Sequence, residues 1–176
     1  DADPAALERG LAHVAAIGAR RVARGRMDEE EAAAVAGRIT PATEVAAAGT
    51  CDLAIEAVPE RMEVKLAVVR DLDAALPPGA VIASNTSGLS ITALAAATGR
   101  PERFVGLHFF NPASVMALVE VIRGERTAEE TLREAEAFAR ALGKVPVRVR
   151  ECPGFLVNRI LVRAMAEAFR AAAARA

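Results

Sequence analysis

The sequence predicts an α/β layer structure built on a parallel sheet. Short apolar runs alternate along the chain with segments of helical periodicity, and Gly, Pro and Asn turn signals separate them. The 176 residues are 53% hydrophobic and 26% charged, enough for one folded domain or one and a fraction.

Asp3 and Pro4 read as N-cap and first residue of a helix to about Gly25, with an apolar stripe of Leu7, Leu11, Val14, Ile17 and Val22. The opening on Asp1, two residues before that N-cap, reads as a piece whose preceding strand lies outside it. Asp28 with Glu31 forms a capping-box pattern for a second helix to about Gly37, making a helical hairpin. Arg38 to Thr43 is a candidate short strand, and Leu53 to Val58 a buried one. Glu60 to Ala75 is helical through Met62, Leu66, Val69 and Leu72 until Pro77, Pro78 and Gly79 stop it.

The same unit then recurs: a strand at Ala80 to Ser84, a polar turn at Asn85 to Gly88 and a helix from Ser90 to Thr98. Phe104 to His108 and Ala117 to Ile122 read as strands either side of a Phe109 to Pro112 turn. Thr127 and Glu130 suggest a second capping box for a helix ending near Gly143, and Val145 to Val149 a last strand. Pro153 and Gly154 mark a joint, followed by an apolar helix from about Phe155. The expected domains are 1–152, the sheet domain, and 153–176, the start of an all-helical second domain.

Charge and cysteine content exclude several function classes. With 22 Lys and Arg against 23 Asp and Glu, no basic excess exists to neutralise a nucleic acid backbone. Two cysteines, Cys51 and Cys152, make no disulfide framework, and no CxxC or HxxxH pair offers a metal site, so a reducing cytoplasm and no metal are expected. No apolar run of membrane length occurs. The arginines 20, 21, 24 and 26 read as a solvated helix face, with an anion site as the alternative. His13 and both cysteines read as structural or exposed.

Glu120 interrupts an apolar strand, and a buried carboxylate needs a cation or donor beside it. His108, ending the neighbouring strand, is the candidate partner; imidazole held by a carboxylate has a fixed tautomer and a free nitrogen that serves as a base. The competing reading is a strand-end histidine and an edge carboxylate with no common task. Ser84 to Gly88 lies between a strand and a helix, on the edge where doubly wound sheets bind ligands, or is an ordinary turn and N-cap. Asn158, in an apolar helix start, either caps a neighbour or faces a ligand. No GxGxxG occurs, so the chain carries no phosphate-cradling loop of its own.

The strings ASNTSGLSIT, GLHFFNP, VMALVEVIRG and CPGFLVNR, in this order and preceded by DLAIEAVPE, resemble the 3-hydroxyacyl-CoA dehydrogenase family from about Cys51 to Arg159. The likeness is greatest to bacterial 3-hydroxybutyryl-CoA dehydrogenases and to the dehydrogenase part of multifunctional β-oxidation proteins. The resemblance implies a doubly wound Rossmann-like sheet lacking its first βα unit, the start of a helical domain that dimerises, and NAD-dependent oxidation of L-3-hydroxyacyl-CoA, or the reverse. It places the family's catalytic histidine on His108, its glutamate on Glu120, and its substrate-contacting serine and asparagine on Ser87 and Asn158. Cofactor contacts fall on Glu60, Lys65, Ser87 and Asn111, and the ribose-binding acid on Asp1. Ser114 and Ala117 stand where members often carry proline and lysine. A dehydrogenase of a free hydroxy acid, such as a sugar acid, and a truncated non-catalytic module are the competing expectations.

Overall fold

The computed structural model describes residues 1–173 and divides into two compact units, Asp1–Ala47 and the chain from Ala48 onward. The first unit is the expected helical hairpin. Helix α1 spans Pro4–Ala23, with the Asp3 side chain accepting the Ala5 N–H and Pro4 in the first turn, where its missing N–H costs nothing. Gly25 follows at φ 63, the left-handed conformation that ends helices and that glycine adopts without a Cβ penalty. Helix α2, Glu29–Gly37, begins with the reciprocal capping box: Asp28 accepts the Glu31 N–H at 2.7 Å and Glu31 accepts the Asp28 N–H at 3.1 Å. Residues 38–43 are not a strand. Pro41 has no N–H to offer a ladder, and no neighbouring strand pairs with the segment.

The second unit holds a five-stranded sheet in the order β1-β2-β3-β4-β5: Leu53–Glu56, Val81–Ser84, Phe104–Phe109, Leu118–Arg123 and Val145–Arg150. It is mixed rather than all-parallel. β4 runs antiparallel to β3, because the turn through Asn111 and Pro112 reverses the chain directly instead of crossing over through a helix. β1 is an edge strand with Ile55 36% exposed, so it is less buried than its apolar sequence suggests. Helices α3 (Met62–Ala75) and α4 (Ile91–Ala95) cover one face of β1 to β3, and α5 (Glu129–Ala141) covers the other. α6, Val157–Ala173, follows the joint at Pro153 and Gly154.

Period-two alternation sorts the strand residues between the faces. Val81, Ala83, Val105, Leu107, Val119 and Val121 pack under Leu132, Ala135 and Ala139 of α5 in a continuous apolar core. The alternate residues, Gly106, His108, Glu120 and Ile122, face the α4 side. There Gly106 lets α4 rest against the sheet, since a Cβ at that position would stand 2.9 Å from Ile91 Cδ1 and 2.8 Å from Ile122 Cβ. The expected Thr127–Glu130 capping box does not form. Ala128 is the N-cap of α5, while the buried Thr127 hydroxyl donates to the Phe104 carbonyl at 2.7 Å and accepts the Gly124 N–H.

Candidate active site

Antiparallel pairing of β3 with β4 sets His108 directly opposite Glu120. Cross-strand partners on one face lie within side-chain reach, and His108 Nδ1 is 2.7 Å from Glu120 Oε2. Both residues are buried, Glu120 completely and His108 to 5% exposure. The second carboxylate oxygen, Oε1, accepts the N–H groups of Leu156 and Val157, each at 2.9 Å. A buried negative charge is thus met by an imidazole N–H and two peptide donors. Among the described residues His108 Nε2 makes no hydrogen bond, and it is not sealed from solvent. The imidazole stands between Phe110, with ring centroids 4.6 Å apart, and the buried Phe155, at 5.9 Å.

The carboxyl ends of β1, β2 and β3 gather other expected residues. The β2–α4 turn leaves Ser87 exposed, and Ser87 N–H donates to Glu60 Oε1 at 3.0 Å. Thr86 Oγ1 donates to the same oxygen at 2.5 Å. Burial alone would raise the Glu60 carboxyl; the Thr86 and Ser87 hydrogen bonds and the Lys65 ammonium outweigh it and hold the group below the usual carboxylate range. Asn158, on the first turn of α6, reaches across to the Ser87 carbonyl with Nδ2 at 3.3 Å, so Ser87 and Asn158 adjoin. Asn111 is exposed just beyond β3, in a cis peptide bond with Pro112. Asn85 Oδ1 accepts the Phe109 N–H at 2.9 Å and fixes the Ser87 turn to the strand that carries His108.

Two further expected cofactor contacts are engaged by protein groups. Lys65 is 1% exposed, and its three ammonium protons go to Glu56 Oε1 at 3.1 Å, Glu56 Oε2 at 3.0 Å and the Val58 carbonyl at 3.1 Å. None is left for a ligand in this arrangement; Lys65 reaches the site surface only through Glu60, whose Oε2 is 3.5 Å away. Asp1 belongs to the first unit, where its carboxylate accepts the Asp3 N–H at 3.1 Å.

Sequence reasoning missed Glu56, which accepts Lys65, the Val58 N–H and the Ser84 hydroxyl while buried at the end of β1. A charged residue closing an apolar run, nine positions before a lysine, was the available signal. The Leu156 and Val157 donors left no such trace, because backbone groups carry no residue code. The arginines 20, 21, 24 and 26 and His13 are all exposed. Among the described residues no cluster of His, Cys, Asp and Glu suits a metal ion, and no helix is long and apolar enough to cross a membrane.

A family model described as the 3-hydroxyacyl-CoA dehydrogenase NAD-binding domain matches residues 1–152. The chain belongs to this family. Its fold is similar to (S)-3-hydroxybutyryl-CoA dehydrogenase from Ralstonia eutropha, with 42% identity and a TM-score of 0.94 over 96% of this chain and 60% of that one. The 3-hydroxybutyryl-CoA dehydrogenase from Escherichia coli gives 42% identity and 0.96 over 99% of this chain and 37% of that one. FadB2 from M. tuberculosis gives 38% identity and 0.94 over 99% and 62%. The chain therefore spans less than two thirds of the length of these relatives. The family's sheet domain accounts for the mixed five-stranded sheet with helices on both faces.

Proposed function

We propose that this chain supplies the NAD-binding and proton-transfer part of an NAD-dependent dehydrogenase that oxidises L-3-hydroxyacyl-CoA to 3-ketoacyl-CoA or reverses that reaction, with short acyl chains such as 3-hydroxybutyryl as its substrate class. The single observation that carries the reading is the buried His108–Glu120 pair with an uncommitted Nε2. Family membership and the likeness to two 3-hydroxybutyryl-CoA dehydrogenases support it.

The donor set suits a nicotinamide nucleoside. The Glu60 carboxylate, the exposed Ser87 and the exposed Asn111 lie at the carboxyl ends of the strands, and carboxylate, hydroxyl and amide groups there complement a ribose and a carboxamide. Glu60, Ser87 and Asn111 would hold this part of NAD, Asp1 would take the adenosine ribose, and Lys65 would act by holding Glu60. NAD, when bound, supplies the hydride acceptor.

His108 Nε2 takes the proton of the substrate hydroxyl. Nδ1–H stays on Glu120, which fixes the tautomer that leaves Nε2 basic and stabilises the imidazolium that forms. Ser87 and Asn158, already adjoining, hydrogen-bond the oxygen that becomes the ketone. Phe110 and Phe155 pack beside the imidazole ring. The homodimer, the cytoplasmic location and the boundary between 1–152 and 153–176 belong to the same proposal.

Acetoacetyl-CoA reduction by the full chain, followed as NADH consumption, tests the reading. Turnover on acetoacetyl-CoA with none on free sugar acids is the expected outcome. Activity confined to free hydroxy acids, or equal kcat/KM for NADH and NADPH despite the Asp1 carboxylate, would count against it.

A further inference from the structure

Helix α6 starts without a side-chain cap of its own. The Ile160 N–H bonds to the Leu156 carbonyl at 3.2 Å, which makes Leu156 the N-cap, and leucine has no oxygen to offer the first free N–H groups. Glu120, from the middle of β4, does the capping instead: its Oε1 accepts the Leu156 and Val157 N–H groups. The chain reaches this position through two left-handed residues, Gly154 at φ 74 and Phe155 at φ 50. Left-handed backbone is unfavourable for a residue with a Cβ, so Phe155 is held there by its surroundings. Its side chain is 1% exposed, its N–H bonds to the Cys152 carbonyl at 2.9 Å, and its carbonyl accepts Cys152 Sγ at 3.2 Å.

We infer that the first turn of α6, through the Leu156 and Val157 N–H groups, is a positioning element for the His108–Glu120 pair. A carboxylate can turn about its last bond and present either oxygen. Two donors on Oε1 stop that rotation and leave Oε2 as the one oxygen facing the imidazole. They also sit at the positive end of a 17-residue helix, so a carboxylate at zero exposure meets oriented peptide donors on that side. The direction and strength of the bond to Nδ1 are therefore set from two sides, by strand register from below and by the start of α6 from above. This inference rests on the proposed function, since positioning matters only if His108 is the base.

Proline offers a direct test. Val157 is the first residue of α6, where proline is compatible with a helix, and its N–H goes to Glu120. Val157→Pro in the full chain should lower kcat for acetoacetyl-CoA reduction about tenfold, the loss of one hydrogen bond to a charged group, with KM for both substrates changed less than about twofold. The His108 Nδ1 proton resonance should move in the same variant, a readout that needs no turnover. In a Glu120→Ala background the proline should cost nothing further, because the side chain through which it acts is gone.

If the proline variant does not fold, replacing the Val157 peptide N–H by an ester oxygen removes the same donor without a ring, while weakening the Leu156 carbonyl that accepts the Ile160 N–H, and the same direction of change in kcat and in the Nδ1 resonance is expected. Unchanged kcat and an unmoved Nδ1 resonance, with His108→Gln inactive, overturn the inference and leave the proposed function standing. A full additional loss in the Glu120→Ala background also overturns it, since the effect then bypasses the Glu120 side chain. Wild-type turnover by His108→Gln overturns the proposed function and this inference with it.

Discussion

Two buried charged clusters lie within one sheet, and they end differently. Lys65 with Glu56 is closed: every ammonium proton is spent on protein oxygens, and the Ser84 hydroxyl and the Val58 N–H fill the carboxylate. His108 with Glu120 is open at one atom: Glu120 is saturated by three donors, while His108 Nε2 keeps its lone pair. Burial is much the same in both, so burial alone does not mark a reactive site. What separates them is the unspent valence. The closed cluster can only hold backbone in place; the open one can accept a proton.

The comparison is sharpest in the variant that breaks the closed cluster. Lys65→Met leaves the Glu56 carboxylate buried and unpaired and should destabilise the protein by about 3–5 kcal/mol. Adding Glu56→Leu should restore most of that stability. Chemical denaturation of the single and double variants checks both expectations, and a fully stable single variant would end the claim that this pair is a structural clamp.

The open cluster should answer in rate rather than stability. His108→Gln should reduce kcat by about 100-fold or more, the lower range for a lost general base, with a thermal midpoint close to that of the parent. Near-normal kcat would remove His108 from the chemistry. Glu120→Gln keeps the shape and a hydrogen bond but not the charge, so a drop of about tenfold, or about 1.4 kcal/mol in barrier, is expected in the same assay.

The smallest effect belongs to Glu60, which lies 3.5 Å from Lys65 at the edge of the closed cluster. Its carboxyl is held below the usual range, so its contribution to stability is present above the carboxylate pKa of the unfolded chain and fades as pH falls through the lowered folded value. The stability difference between the parent and Glu60→Gln should therefore narrow under acid conditions below the usual carboxylate range. Its half-exposed side chain keeps that difference under about 1 kcal/mol at neutral pH. Parallel denaturation curves across the acid range decide it, and a gap that widens on acidification would contradict the sign.

Much of this was legible in the residues, for identifiable reasons. Glu120 stood out because one charged residue inside an apolar strand demands a partner, and two-residue periodicity put His108 within reach of it. The capping box at Asp28 and the stop at Pro77 followed from local chemistry and are present as read. The antiparallel β4 was not legible, because strand direction depends on a turn whose geometry no residue type dictates. Thr127 misled because its hydroxyl found a tertiary acceptor at Phe104 before it found its own helix. Lys65 was singled out by the resemblance alone, and its burial against Glu56 at the end of the neighbouring strand left no mark in the periodicity of its helix.

Gly106 carries a consequence for how much variation this framework tolerates. The clearance between β3 and α4 at that point is set by a missing atom, with Ile91 and Ile122 already at the limit of contact. Any larger residue would act as a shim, lifting α4 away from the sheet. α4 begins only a few residues after Ser87, so the shim would tilt the whole Ser87 to Ser90 stretch while leaving His108 in its strand. Two halves of the site would then lose their common gauge although none of their own side chains had changed.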